Sequence, residues 1–208
     1  MARLGSQGSM IESFRAHTPK SFPTTSQALR GGMLAAALLA IVLVVAFRAT
    51  APSPTAAQRH INQPATTFTL PAEQAGTRLP APVTFAPTSG KPTLLVFFYT
   101  LCTHCLLQMQ STHAVTAGFP TLRTVYIDSP SELPNLPDLM MQRLGITDPV
   151  LLDADGQVAA HYGIDYYPAL VLIDGRGIVR AIWTGETDAA TLHTGIAQAL
   201  ATNGNESG

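Results

Sequence analysis

Apolar positions along this 208-residue chain fall into two kinds of run. One is long. Gly31–Phe47 (GGMLAAALLAIVLVVAF) carries no charge for 17 residues and is bracketed by Arg30 and Arg48. The others are four to eight residues long: Thr93–Thr100 (TLLVFFYT), Leu122–Asp128 (LRTVYID), Val150–Asp153 (VLLD) and Ala169–Asp174 (ALVLID). Short, continuous and rich in β-branched and aromatic residues, they read as strands buried on both faces. Thr66–Leu70 and Pro82–Phe85 read as shorter strands joined by a turn around Glu73–Thr77. Helical spacing fills the gaps. His104 to about Ala117 predicts a helix with Leu106, Leu107 and Met109 in its first turns, and Asp138–Leu144 a short one. Val158–Tyr162 predicts a helical turn on the surface. Thr187 is placed to cap a last helix with Leu192, Ile196, Ala199 and Leu200 on one face. Asp174-Gly175-Arg176-Gly177 predicts a hairpin turn, with Ile178–Trp183 as the return strand. Strands alternating with helices and closing on a hairpin predict an α/β sheet.

The long run sets the organisation of the chain. At about 1.5 Å per residue it spans roughly 25 Å, a little less than the hydrocarbon core of a bilayer. The flanking arginines can snorkel to make up the difference. It is long for a signal-peptide core, and its 30 preceding residues are many for a leader. Ala49-Thr50-Ala51 resembles a cleavage site, but Pro52 follows at once. An uncleaved signal anchor is the expectation. Arg3, Arg15, Lys20 and Arg30 precede the span and only Arg48 and Arg59 follow closely, which predicts the N-terminus inside and the C-terminus outside. The expected divisions are a cytoplasmic tail at 1–30, a transmembrane anchor at 31–48 and a Pro/Ala/Thr-rich linker at 49–64. One domain at 65–202 and a frayed tail at 203–208 complete them.

A net charge of −1 leaves no basic footprint for nucleic acid. Charged residues are only 12% of the chain, and the long apolar run accounts for part of that deficit. Asp153-Ala154-Asp155-Gly156 looks like the start of a calcium loop. The twelfth position, where such a loop needs Glu, is Ile164, so the segment reads as a turn.

The chemistry lies in Cys102-Thr103-His104-Cys105, which holds the two cysteines of the chain. Strand, C-x-x-C, helix is the context in which a dithiol becomes a redox centre. At a helix N-terminus the first thiol sits in the field of unpaired N–H groups, which favours thiolate, the nucleophilic form. Zinc needs about four ligands, and His104, His113, His161 and His193 supply no second paired spacing. A purely structural disulfide closing so short a loop would stabilise little.

With these residues in place the chain resembles the thioredoxin superfamily, and within it the membrane-anchored TlpA/ResA-like thiol–disulfide oxidoreductases. Thr67–Leu70 is similar to the opening strand of that family. Gly90-Lys91-Pro92 with the following strand and the dithiol is similar to its active-site segment. Val150–Asp153, Asp155-Gly156, His161–Ile164 and Tyr167–Gly175 are similar to its second half. The match runs over about 65–200. It implies a thioredoxin-like α/β fold, a central mixed sheet flanked by helices. It also implies a cis bond before Pro168, with the backbone of Tyr167 binding a substrate peptide. The family usually has Trp where Leu101 stands. The places where relatives carry a buried acid hold Val96 and Gln108 here, and neither can titrate.

The roles implied are Cys102 as attacking thiolate, Cys105 as resolving thiol and His104 as the residue that tunes the Cys102 pKa. No cofactor or metal is required. Expected partners are protein thiols and disulfides, a membrane thiol–disulfide redox partner, and the bilayer through residues 31–48. The expected place is a bacterial inner membrane, with the domain facing the periplasm. Cytochrome c maturation and disulfide formation both fit. Two other classes stay open. A thioredoxin-fold copper chaperone would usually show C-x-x-x-C with a distant His. A peroxiredoxin-like peroxidase would carry Thr three residues before its reactive cysteine, where Tyr99 stands.

Overall fold

The computed structural model describes residues 39–41, 55–87, 90–130, 133 and 135–205. The chain divides into two compact units, Met1–Pro52 and Ser53–Gly208. Of the first unit, 39–41 are helical, with Leu39 and Ile41 exposed. The rest of the expected Gly31–Phe47 span, like the expected tail at 1–30, lies outside the described residues. Among the described residues no helix is long and apolar enough to cross a membrane.

Among its described residues the second unit has nine strands and four α-helices. The strands are β1 (Phe68–Leu70), β2 (Ala72–Gln74), β3 (Thr77–Arg78), β4 (Val83–Phe85) and β5 (Thr93–Phe98). They continue with β6 (Arg123–Asp128), β7 (Val150–Leu152), β8 (Ala169–Ile173) and β9 (Val179–Thr184). The helices are α1 (Thr103–Thr116), α2 (Leu136–Arg143), α3 (Gln157–His161) and α4 (Ala189–Asn205). Seven strands form one mixed sheet in the order β3-β2-β7-β6-β5-β8-β9. β5, β6 and β7 run parallel, and β8, β9 and β2 run antiparallel to their neighbours. β1 and β4 pair separately.

β5 is fully buried because it feeds two cores. Side chains alternate across a strand. Leu94, Val96 and Phe98 join Met109, Leu192 and Ile196 in one core, and α1 packs on α4 there. Leu95 and Phe97 join Val125, Ile127, Val171 and Tyr162 in the other. A strand buried on both faces has little freedom at its end, and that end carries the dithiol.

Several details depart from the expectations. Glu73–Thr77 is more than a turn: β2 and β3 form a hairpin, reversed through left-handed Ala75 and Gly76, and β2 joins the main sheet beside β7. Glu73 is buried in it and accepts the Asn135 amide. The second half of the expected linker is folded. Residues 57–60 form a 3₁₀ turn, and Asn62 and Gln63 exchange backbone hydrogen bonds with Val179. Gly163, at φ +67°, makes room for this segment, since a Cβ there would stand 2.6 Å from the Ala56 carbonyl carbon. Asp188, rather than Thr187, caps α4, accepting the Thr191 amide at 2.9 Å. Tyr162, expected on a surface turn, is buried, its hydroxyl close to the backbone of Thr66.

The β8–β9 hairpin turns around fully buried Asp174. Its Oδ1 accepts the amides of Arg176 and Ile178, and its Oδ2 accepts Arg180 Nε at 2.8 Å. Burial pushes this carboxyl upward, but the Ile178 amide, Arg180 and the Arg176 amide outweigh it and hold it below the ordinary range. A depressed folded-state value means that ionisation favours the fold. That stabilisation is complete above the ordinary carboxylate pKa, near about 4, and fades as pH falls through the depressed value. Asp174→Asn is expected to cost about 1.5–3 kcal/mol at pH 7, the range for hydrogen bonds to a charged group. Denaturant titration should show the deficit shrinking at pH 2–3. A deficit independent of pH would show that shape, not charge, matters at Asp174.

Candidate functional site: the Cys102–Cys105 dithiol

Cys102 stands between β5 and α1, in extended conformation at the N-cap of the helix. Its own amide bonds the Tyr99 carbonyl, and its carbonyl accepts the first helical bond, from Leu106. Its sulfur accepts the Cys105 amide at 3.1 Å, the contact that a capping Ser or Asp oxygen makes elsewhere. Both cysteines are free thiols. Cys102 is half-buried and Cys105 is fully buried, one turn into the helix. Burial pushes the Cys105 thiol up to about 12, its hydrogen bond with Cys102 and the charge of Asp128 push the same way, and a backbone hydrogen bond from Tyr99 opposes them.

β8 brings the second half of the site. Ala169 pairs with Phe97, so Pro168 and Tyr167 lie beside the outgoing end of β5. The Tyr167–Pro168 bond is cis, as is Ser129–Pro130. The Pro168 carbonyl accepts the Gly185 amide at 2.7 Å, which holds the loop that follows β9. Tyr167 donates its hydroxyl to Ser129 Oγ at 3.3 Å. Ser129 in turn donates to buried Asp153, which also accepts the Val158 and Ala159 amides at the start of α3. Burial raises the Tyr167 phenol, the Ser129 bond lowers it, and the charges of Asp153, Asp128 and Cys105 raise it further. Tyr167 packs against the core cluster that includes Cys105.

His104 is on the first turn of α1 with its side chain 70% exposed, and its Nδ1 lies 3.0 Å from Glu186 Oε2. The loop bearing Glu186 is tied to α1 a second time. Gln108, buried, accepts the Thr187 amide at 2.7 Å and donates to Thr112. The sequence singled out neither Glu186 nor Asp128. Asp128 is 1% exposed at the end of β6 and accepts the Thr100 hydroxyl at 2.8 Å. A signal for it existed: a carboxylate closing a central parallel strand, where α/β sheets carry their sites. Beside Cys102 opens a cleft of about 360 Å³, walled by Leu101, Leu106, Leu136, Leu139 and Met140, with Arg143. Leu101, Leu106 and Leu139 are exposed in it. Among the described residues no cluster of three or more His, Cys, Asp or Glu side chains is arranged to hold a metal ion.

The profile of the AhpC/TSA family matches residues 61–182, from before β1 to within β9. The chain belongs to the AhpC/TSA family. Solved structures place this AhpC/TSA chain in the thioredoxin-like fold. A thiol:disulfide interchange protein of the thioredoxin family from Chlorobium tepidum superposes with a TM-score of 0.53 at 23% identity, covering 71% of this chain and 97% of that one. A secreted disulfide oxidoreductase from Mycobacterium tuberculosis gives 0.52 at 24%, covering 63% and 95%. AhpC from Enterococcus faecalis gives 0.58 at 17%, covering 71% and 95%. No curated protein sequence matches the chain.

The contrast between the two thiols makes a direct expectation. With Cys105 buried and its thiol near about 12, iodoacetamide at pH 8 should modify the reduced, native protein once, at Cys102. Denaturation should expose the second site. Peptide mass spectrometry showing equal modification of both cysteines in the native state would contradict the exposure difference.

Proposed function

We propose that the protein is a membrane-tethered, extracytoplasmic thiol–disulfide oxidoreductase acting on protein substrates. The observation that carries this reading is the pair itself: a half-buried Cys102 whose sulfur caps α1, backed by a buried Cys105 that donates its amide to that sulfur. The geometry suits two-step exchange. Cys102 thiolate attacks a substrate disulfide, forms the mixed disulfide and expels one substrate thiolate. Cys105 then attacks the Cys102 sulfur, closes the Cys102–Cys105 disulfide and expels the second substrate thiolate. Two electrons pass to the substrate, and a partner dithiol must restore the pair. Run backwards, the same steps oxidise a substrate.

The surroundings support a macromolecular substrate. The exposed leucines beside Cys102 line an open cleft, suited to a polypeptide that carries an apolar side chain near its cysteine. Tyr167 and Pro168 are the proposed peptide-binding edge. His104 is proposed to tune the couple, since a positive imidazole at the helix start favours thiolate, and favouring the reduced state makes a couple more oxidising. Glu186, 3.0 Å away, would hold it there. Support for tethering comes from the uncharged Gly31–Phe47 run and the basic residues before it. The dithiol would then work in an oxidising compartment such as the periplasm of a bacterium, served by a membrane thiol–disulfide partner.

Family membership favours a second reading, a peroxidase. Against it stand Tyr99, three residues before Cys102, and a second cysteine within the same helical turn. Hydroperoxide consumption separates the two readings.

Cys102→Ser is expected to reduce exchange with a model protein disulfide to the uncatalysed background. Cys105→Ser should instead trap mixed disulfides through Cys102. Trapping through Cys105 would reverse the roles, and full activity in both variants would remove the redox reading. For the tether, a reporter that works only after export, fused after Gly208, is expected to be active. A reporter active in the cytoplasm would overturn the proposed topology.

A further inference from the structure

α2 carries more apolar surface than the fold uses. Its inner side holds Pro137, Asp138 and Met141, all buried. Asp138 accepts the Gly76 amide and, at 2.6 Å, the Gln142 side chain, which fixes that side against the β2–β3 hairpin. A second stripe runs Leu136, Leu139, Met140 and Arg143. The spacing i, i+3, i+4, i+7 puts all four on one face of a helix. That face forms one wall of the cleft beside Cys102, and Leu101 and Leu106 stand opposite in the dithiol turn and α1. Met140 also packs against the core, but Leu139 is 49% and Leu101 65% exposed. Folding gives no reason for leucines there, and cover by a partner gives one.

Arg143 ends the stripe and decides which partner fits. It is exposed, and among the described residues it forms no ion pair. No Asp or Glu is among the described residues that line the cleft. A cation in the last turn of a helix also meets its free carbonyls. That role is open to any face of the turn, whereas Arg143 stands on the face that lines the cleft. From Leu139 to Arg143 is one turn of α2, about 6 Å along its axis. Alternate side chains of an extended chain point the same way about 7 Å apart. The two spacings match.

We infer that the cleft selects protein substrates that carry, close to the reacting cysteine, an apolar side chain and an Asp or Glu two places along. The substrate segment lies extended. Its apolar side chain enters between Leu101, Leu106 and Leu139, and its carboxylate meets the Arg143 guanidinium. Arg143 touches neither reacting sulfur; it determines specificity by charge. This rests on the dithiol-exchange reading above and adds a client preference to it.

Peptide competition tests this with the reduced full-length chain in nanodiscs of zwitterionic lipid. The oxidants are symmetric disulfide dimers of short peptides, each with one cysteine beside Leu-x-Glu, Leu-x-Gln, Leu-x-Lys or Ser-x-Glu. Acid quenching and alkylation give the rate of oxidation, divided by the rate of the same peptide with a small thiol. Leu-x-Glu is expected to react about fivefold faster than Leu-x-Gln at low salt, the upper range for one exposed ion pair. Leu-x-Lys should be the slowest of the three. The advantage of Glu should shrink at about 1 M salt, while that of Leu-x-Glu over Ser-x-Glu persists. Arg143→Glu should invert the order, so that Leu-x-Lys leads, and Arg143→Gln should bring the three Leu peptides together. Equal rates for those three in the wild type, or an unchanged order in Arg143→Glu, would overturn the inference. So would rates that fall for every peptide alike as the protein is concentrated, which would assign the leucines to a second copy of the chain. The wild-type order and its salt dependence need no variant. Failure of every peptide to oxidise the wild type would instead defeat the dithiol reading itself.

Discussion

The hydrogen bond from the Cys105 amide to the Cys102 sulfur joins fold and chemistry in one contact. A helix start needs an acceptor for its first free amides. Here the acceptor is the sulfur proposed as the nucleophile. Any side chain that caps α1 equally well without sulfur would keep the helix and lose the chemistry. The contact also fixes the order of the two thiols, since the capping position lies at the surface and the position one turn later lies inside. β5 makes this possible. Because it is anchored in two cores, its last residues deliver Cys102 to a fixed place, and Pro168 and Asp128 reach that place from the strands on either side.

Much of this was legible from apolar runs. β5, β6 and β8 are continuous and buried on both faces, so length and composition alone were enough to find them. The Asp174 hairpin was legible because Asp-Gly between apolar runs has a local cause, and the structure adds why the Asp is there: it accepts two amides of its own turn and Arg180. The dithiol was legible because its meaning depends on its two neighbouring elements alone.

What escaped depends on partners far along the chain. Glu73 looked like a turn residue because charge predicts exposure, yet it is buried against the amide of Asn135, 62 residues away. Tyr162 is 96 residues from the Thr66 backbone beside it, and no local spacing carries that information. Glu186 reaches His104 only through a loop that Gln108 and Pro168 hold in place. Gln108 itself changes meaning. Seen in sequence it is a missing acid, and in the structure it is a buried amide that ties that loop to α1. A buried acid does lie at the end of the neighbouring strand, where Asp128 accepts the hydroxyl of Thr100, two residues before Cys102.

The central claim is that Cys102 and Cys105 form a reversible redox couple rather than a structural bridge or an inert pair. The most direct measurement is the reduction potential of the couple, by equilibrating the full-length chain in thiol–disulfide buffers and counting free thiols. The account predicts one two-electron transition, tenfold in ratio per about 30 mV, with a midpoint above about −300 mV, where exchange with protein thiols is reversible. A bond that forms and resists reduction below about −300 mV, or a pair that never forms one, would contradict it.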